Sequence, residues 1–243
     1  MGSKELAIQR LEQIKDQDPD VYKEVITDDV YRITEEAVSG KHVLDIGANI
    51  GTFALLALSK GAESVVCVEA NPETAAKLIE NLADFPECYV LNVAVLKPGQ
   101  NVGYLHGNKG QCEVWDHKNA IAEEGPDRPV DGRTFSSIVS QFPKSNVLKM
   151  DIEGCEFDAL LYAPGTDITR FETIYIEIHG ITKEEGHNDL GRDTDMLQNY
   201  IKYMGFKETW NRPIFWWTWN NNVVVSCKRI PLDVFKYERI KQC

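Results

Sequence analysis

From residue 42 the chain alternates short, almost uninterrupted apolar runs with helical ones: "HVLDIG", a helix over about 50–60, "SVVCVEA", a helix opened by "NPET", and "CYVLNVAV". Strands apolar on both faces belong to parallel sheets covered by helices, and a βα alternation predicts an α/β fold whose ligands sit at the carboxyl ends of the strands. Residues 97–132 break the rhythm with Gly, Asn, Pro and short polar runs, which predicts a β-hairpin insertion with a loop. The pattern resumes with "TFSSIVSQF" as a helix, "SNVLKM" and "FETIYIEIHG" as strands, and a helix around 193–204. "GFKETW" and "PIFWWTWNNNVVVSCK" read as antiparallel strands turning at the asparagines. Ahead of the first strand, "KELAIQRLEQIKDQ" has helical spacing, and a partly helical polar segment follows; residues 1–40 are expected to cover a single larger domain, 41–243.

Two strand ends carry the chemistry. In "VLDIGANIGTFALLAL" the strand stops at Asp45, Gly47 and Gly51 allow a tight turn, and a helix begins whose N-terminus attracts anions. Glu69 ends the next strand, where a carboxylate can accept hydrogen bonds from both hydroxyls of a ribose. The dinucleotide fingerprint G-x-G-x-x-G is not matched, since Asn49 and Thr52 stand where glycines belong, so a nicotinamide cofactor is disfavoured. In "VLKMDIEGCEFDAL" a second apolar strand runs into Asp151, Glu153 and Glu156 around Gly154.

Residues two apart on a strand share a face, so Lys149 and Asp151 project together, as do Tyr175, Glu177 and His179 of "IYIEIHG". If these strands are neighbours, Lys149, Asp151, Glu153, Glu177 and His179 converge at one crevice. A histidine ordinarily titrates near neutral pH and is the natural general base of such a group, with a strand-end histidine satisfied by backbone as the alternative. For Lys149 the alternative is a structural ion pair with Asp151 or Glu177. Asp151, Glu153, Glu177 and His179 also supply oxygen and nitrogen of the kind a divalent ion uses, but they form no compact ligand motif, and chemistry without a metal is expected.

These motifs, "DIGANIGTF", "VEANPE", "NVAV" and above all "LKMDIEGCE", resemble the FkbM family of class I S-adenosylmethionine-dependent methyltransferases over about residues 40–180. The resemblance implies a Rossmann-like fold, a mostly parallel seven-stranded sheet with helices on both faces and an antiparallel C-terminal strand. It implies methylation of a hydroxyl, as on sugars and polyketides, with S-adenosyl-L-methionine as cofactor. By the same likeness the cofactor is bound by Asp45, Gly47, Ala48, Asn49, Gly51, Thr52 and Phe53, by Glu69, Ala70 and Asn71, by Asn92, Val93 and Ala94, and by Asp151. The catalytic group is then His179, Asp151, Glu177, Lys149 and Glu153, acting on a sugar, glycan or other small hydroxylated acceptor.

Composition narrows the partners. A net charge of −12 offers no broad basic surface for a nucleic-acid backbone or an anionic membrane, which argues against RNA 2′-O-methylation; a cofactor-binding module without catalysis is the other alternative. Six cysteines without a CxxC pair read as reduced thiols, and with no long apolar span this predicts a cytoplasmic protein. The opening "MGS" reads as a cloning remnant, compatible with a domain of a larger multifunctional enzyme. His106, His117 and His187 fall in apparent loops; the acidic run 182–189 is a solvated loop or a lid; and Phe215, Trp216, Trp217 and Trp219 are hairpin packing or a sugar-stacking face.

Overall fold

A computed structural model describes residues 2–106, 113–115, 128–179, 194–214 and 232–240. In chain order the elements are α1 (Ser3–Ile14), α2 (Pro19–Tyr22), a π-helical turn (Lys23–Thr27), α3 (Glu35–Val38), β1 (His42–Ile46), α4 (Thr52–Ser59), β2 (Ser64–Val68), α5 (Pro72–Asn81), β3 (Cys88–Leu91), β4 (Ala94–Val95), β5 (Val102–His106), β6 (Glu113–Trp115), β7 (Arg128–Arg133), α6 (Phe135–Gln141), β8 (Val147–Met150), α7 (Glu156–Leu161), α8 (Gly165–Ile168), β9 (Thr173–His179), α9 (Thr194–Tyr203), β10 (Phe206–Ile214) and β11 (Leu232–Arg239).

Seven strands form the main sheet in the order β10-β11-β9-β8-β1-β2-β3. Within it β11 runs antiparallel to both neighbours and the pairs from β9 to β3 are parallel, as expected. The central strands are apolar because both faces are covered. One face packs with α6, α7 and α9 through Leu44, Ile46, Leu148, Ile138, Leu160 and Leu197. The other packs with α4 and α1 through Val43, Val65, Phe53, Leu55, Ala7 and Leu11. Helix starts follow local chemistry. Asn71 caps α5 by accepting from Glu73 N, with Pro72 at the first helical position; Thr134 caps α6 by accepting from Ser137 N.

Two local expectations are corrected. "CYVLNVAV" is not one strand: β3 ends at Leu91, and β4 leaves the main sheet to pair with β7 in a small sheet ordered β4-β7-β5-β6. The insertion does contain the expected hairpin, β5 with β6, and β7 adds to its other edge. The segment before β1 is partly helical, as expected, in three short pieces with Asp29 and Arg32 in the left-handed region between them. At the C-terminus β10 spans Phe206–Ile214 with a register shift between Glu208 and Trp210, and the antiparallel strand it pairs with, β11, lies further along the chain than the runs read as strands; the expected turn at the asparagines lies outside the described residues.

Candidate active site

The β1–α4 loop and the end of β8 are locked together by backbone. Asp151 N donates to Ile46 O at 3.0 Å, and Gly47 and Ala48 N both donate to Val68 O. Gly47 sits at φ +81°, and a Cβ built there would lie 1.7 Å from the carbonyl oxygen of Asp151, so this position requires glycine. Asn49 takes a left-handed φ of 49° as well, a conformation asparagine tolerates. Its backbone N–H then points at Glu69, whose two carboxylate oxygens accept from Asn49 N at 2.9 Å and Asn71 N at 2.8 Å. The Glu69 carboxyl is pushed up by burial, against the pull of those two amide bonds. Asn92 donates to the carbonyls of Glu69 and Ala70 and so fixes the end of β2.

The other expected cofactor residues divide. Asp45 is fully buried beside Lys149, 3.5 Å from its Nζ. Asn71 spends its side-chain oxygen on the α5 cap. Val93, Ala94 and Thr52 are buried. Phe53 lies inside an aromatic cluster, edge-on to Tyr31 at 5.3 Å and to Tyr175 at 6.0 Å between centroids. Glu69 and Asn49, both partly exposed, are left by the fold at the surface of the loop.

Strands β8 and β9 are parallel neighbours with Lys149 opposite Tyr175, which brings the second group together as the spacing requires. Lys149 Nζ donates to Gly47 O at 2.7 Å and stands 3.6 Å from Asp151 Oδ2. Burial pulls its pKa down, but Asp45, Asp151 and Glu177 outweigh that and hold the ammonium above its usual value. Asp151 Oδ2 also accepts from Tyr31 O–H at 3.3 Å, which leaves Oδ1 turned towards His179 Nε2 at 3.9 Å. The same nitrogen lies 3.4 Å from Glu153 Oε2 and 3.6 Å from Glu177 Oε1. On its far side, His179 Nδ1 is 2.9 Å from Glu156 Oε1, which also accepts from Ile152 N.

This crowding sets the charges. Burial works to lower the His179 pKa, yet the carboxylates of Glu156, Glu177 and Glu153 overcome it and raise it well above the ordinary histidine range. The imidazole expected to act as the base is thus held by Glu156 through Nδ1 and faces three further carboxylates with Nε2. Glu177 is pushed well up by burial and by Asp151.

Four contributors escape sequence reasoning. Glu156 sits in the quoted carboxylate run, but its role appears only because Glu153 and Gly154 turn through left-handed φ values of 54° and 98° and start α7 facing β9. Tyr31, Glu24 and Asp18 come from the N-terminal turns, where no spacing signal links them to the strands. Asp18 Oδ2 accepts from Asn49 Nδ2 at 3.1 Å, and the Glu24 carboxyl, raised to about 7 by burial and then by Asp151, shares the field of the cluster. His117, His187, the run 182–189 and the aromatic run 215–219 lie outside the described residues, and His106 belongs to β5 in the small sheet.

A parallel sheet with one reversed strand near its edge, a glycine turn after β1 and an acidic end to β2 define the Rossmann-like fold of class I methyltransferases. The family described as the methyltransferase FkbM domain matches residues 45–208, and the chain belongs to that family. A curated relative, the hexuronic acid methyltransferase AglP of Haloferax volcanii, is 28% identical over 143 residues; the match spans 54% of this chain and 54% of AglP, about half the length of each. Among solved structures, Thermoplasma acidophilum 1320 is similar over 98% of both chains, with a TM-score of 0.52 at 14% identity. An rRNA methylase from Streptococcus thermophilus is similar over 85% of this chain and 92% of its own, with a TM-score of 0.44 at 10% identity. No helix among the described residues is long and apolar enough to cross a membrane.

Proposed function

We propose that this methyltransferase uses S-adenosyl-L-methionine and transfers its methyl group to a hydroxyl of a sugar or glycan. The observation that carries the reading is the juxtaposition of two different groups at the carboxyl ends of the central strands. Beside the β1–α4 loop stands Glu69, a carboxylate suited to two ribose hydroxyls, and backbone contact joins that loop to Asp151, the first member of the His179 group. Residues 41–243 would form the transferase domain and 1–40 its cover.

Methyl transfer from a sulfonium is an in-line displacement. The protein need only align donor and acceptor and take up the hydroxyl proton. Lys149 and Tyr31 fix Asp151, Glu156 fixes His179, and the excess of carboxylates over cations favours a positively charged donor over its neutral product. The acceptor's proton is taken up within the carboxylate cluster that surrounds His179. AglP supports a sugar acceptor, and the charge of −12 supports an acceptor that is not a polyanion.

Incubation with donor carrying a deuterated methyl group and a panel of uronic acids, neutral sugars and oligosaccharides, followed by mass spectrometry and NMR, tests this. An O-methyl ether on a sugar is the expected product. Transfer only to nitrogen, carbon or RNA would contradict it.

A further inference from the structure

Three carboxylates crowd one imidazole nitrogen in this site, more than its one N–H can serve. His179 Nε2 has Glu153 at 3.4 Å, Glu177 at 3.6 Å and Asp151 at 3.9 Å, while its single N–H can serve one of them. Glu177 is the telling member. Its residue is 5% exposed, its side chain turns towards His179, and among the described residues no hydrogen-bond donor reaches its carboxylate. A buried carboxylate set beside two others is a costly arrangement unless a cation completes it.

We propose that Asp151, Glu177 and His179 hold a divalent metal ion, although the sequence, with no compact ligand motif, points to chemistry without one. One donor atom from each residue lies within 4.8 Å of the other two. Donors sharing one cation at about 2.1 to 2.4 Å stand about 3 to 4.8 Å apart, so a single ion can touch all three with little movement. The surroundings are those of a ligand set. Glu156, fully buried, holds His179 Nδ1 and leaves Nε2 for the metal, and Tyr31 with Lys149 occupies Asp151 Oδ2 and leaves Oδ1. Two carboxylates and one imidazole select a hard divalent ion, with the nitrogen favouring Mn2+ over Mg2+.

Three protein donors leave about half of an octahedral shell open. Given the function proposed above, on which this role rests, the open positions take two adjacent oxygens of the acceptor, so the substrate class is a vicinal diol or a hydroxy acid. The coordinated hydroxyl passes its proton to Glu153, the more exposed carboxylate. Its oxygen then forms the bond to the methyl carbon while the bond from that carbon to sulfur breaks, the electron pair staying on sulfur.

The test is titration of the full chain with MnCl2, free Mn2+ being read by electron paramagnetic resonance. One ion per chain is expected, with affinity weakened at least about tenfold in Asp151→Asn and Glu177→Gln and unchanged in Glu172→Gln at the opposite end of the sheet. Absence of stoichiometric binding in the wild type, or wild-type affinity in both site variants, overturns the proposal. Should those variants fail to fold, Mn2+ broadening of the wild-type imidazole resonances decides: selective loss of the His179 signals supports the site, and uniform broadening refutes it. Calorimetry with S-adenosylmethionine in EDTA separates the two readings. Donor binding without any Mn2+ site removes only the metal, whereas Mn2+ binding without donor binding removes the function proposed above and keeps the metal.

Discussion

At the scale of single residues, the site depends on positions that have no freedom. Gly47→Ala must push a methyl group into the Asp151 carbonyl at a φ of +81°, and a loss of about 3 kcal/mol or more in urea unfolding is expected. His179→Ala should slow single-turnover methyl transfer by about 10² to 10⁴ while donor affinity stays within a factor of about two; a normal rate would take His179 out of the reaction. A third position reports on the sheet rather than the site. The Cys88 thiol is pushed up to about 12, first by burial and then by Glu87 and Asp45, so at pH 8 iodoacetamide should label it in the native protein about 10³-fold more slowly than in denaturant. The unfolded chain ionises first, so this thiol's contribution to stability is complete below pH 9 and declines as pH climbs towards 12. Of the site itself, Lys149, Asp151, Glu177 and His179 are legible because strand alternation fixes their face. Tyr31 and Glu24 are not, because the N-terminal turns bring them in through tertiary packing that leaves no periodic trace.

At the scale of elements, legibility follows burial. The strands β1, β2, β8 and β9 are apolar on both faces, so their sequence admits little else. β4 is two residues long and its departure from the main sheet depends on pairing with β7, distant in sequence. In β11 the alternation of buried Phe235 and Tyr237 with Lys236 and Glu238 is a genuine strand signal, but the tryptophan-rich run upstream is the louder one. Helix α5 shows local chemistry and site joined in one residue, since the side chain of Asn71 caps the helix while its backbone N–H holds Glu69. Asn71→Ala should cost about 1 kcal/mol and Asn71→Asp only a few tenths, because aspartate caps equally well and suits the helix dipole. Equal losses in chemical denaturation would mean that the cap is not what matters.

At the scale of the whole molecule, the sheet order explains why the two candidate groups meet at one end of the protein. β1 and β2 bring the loop and Glu69, β8 and β9 bring the charged cluster, and all four strands end on the same side because they are parallel. The N-terminal segment packs α1 on α4 and reaches the same end through Asp18 and Tyr31, so it belongs to the site as well as to the core. The central claim is that this end binds S-adenosylmethionine, and isothermal calorimetry tests it most directly. The account predicts saturable binding of one S-adenosylmethionine per chain, weakened by at least about 1.5 kcal/mol, roughly tenfold, in Glu69→Ala, which removes a charged hydrogen-bond acceptor. Binding of NAD in place of S-adenosylmethionine, or donor affinity indifferent to Glu69, would contradict it.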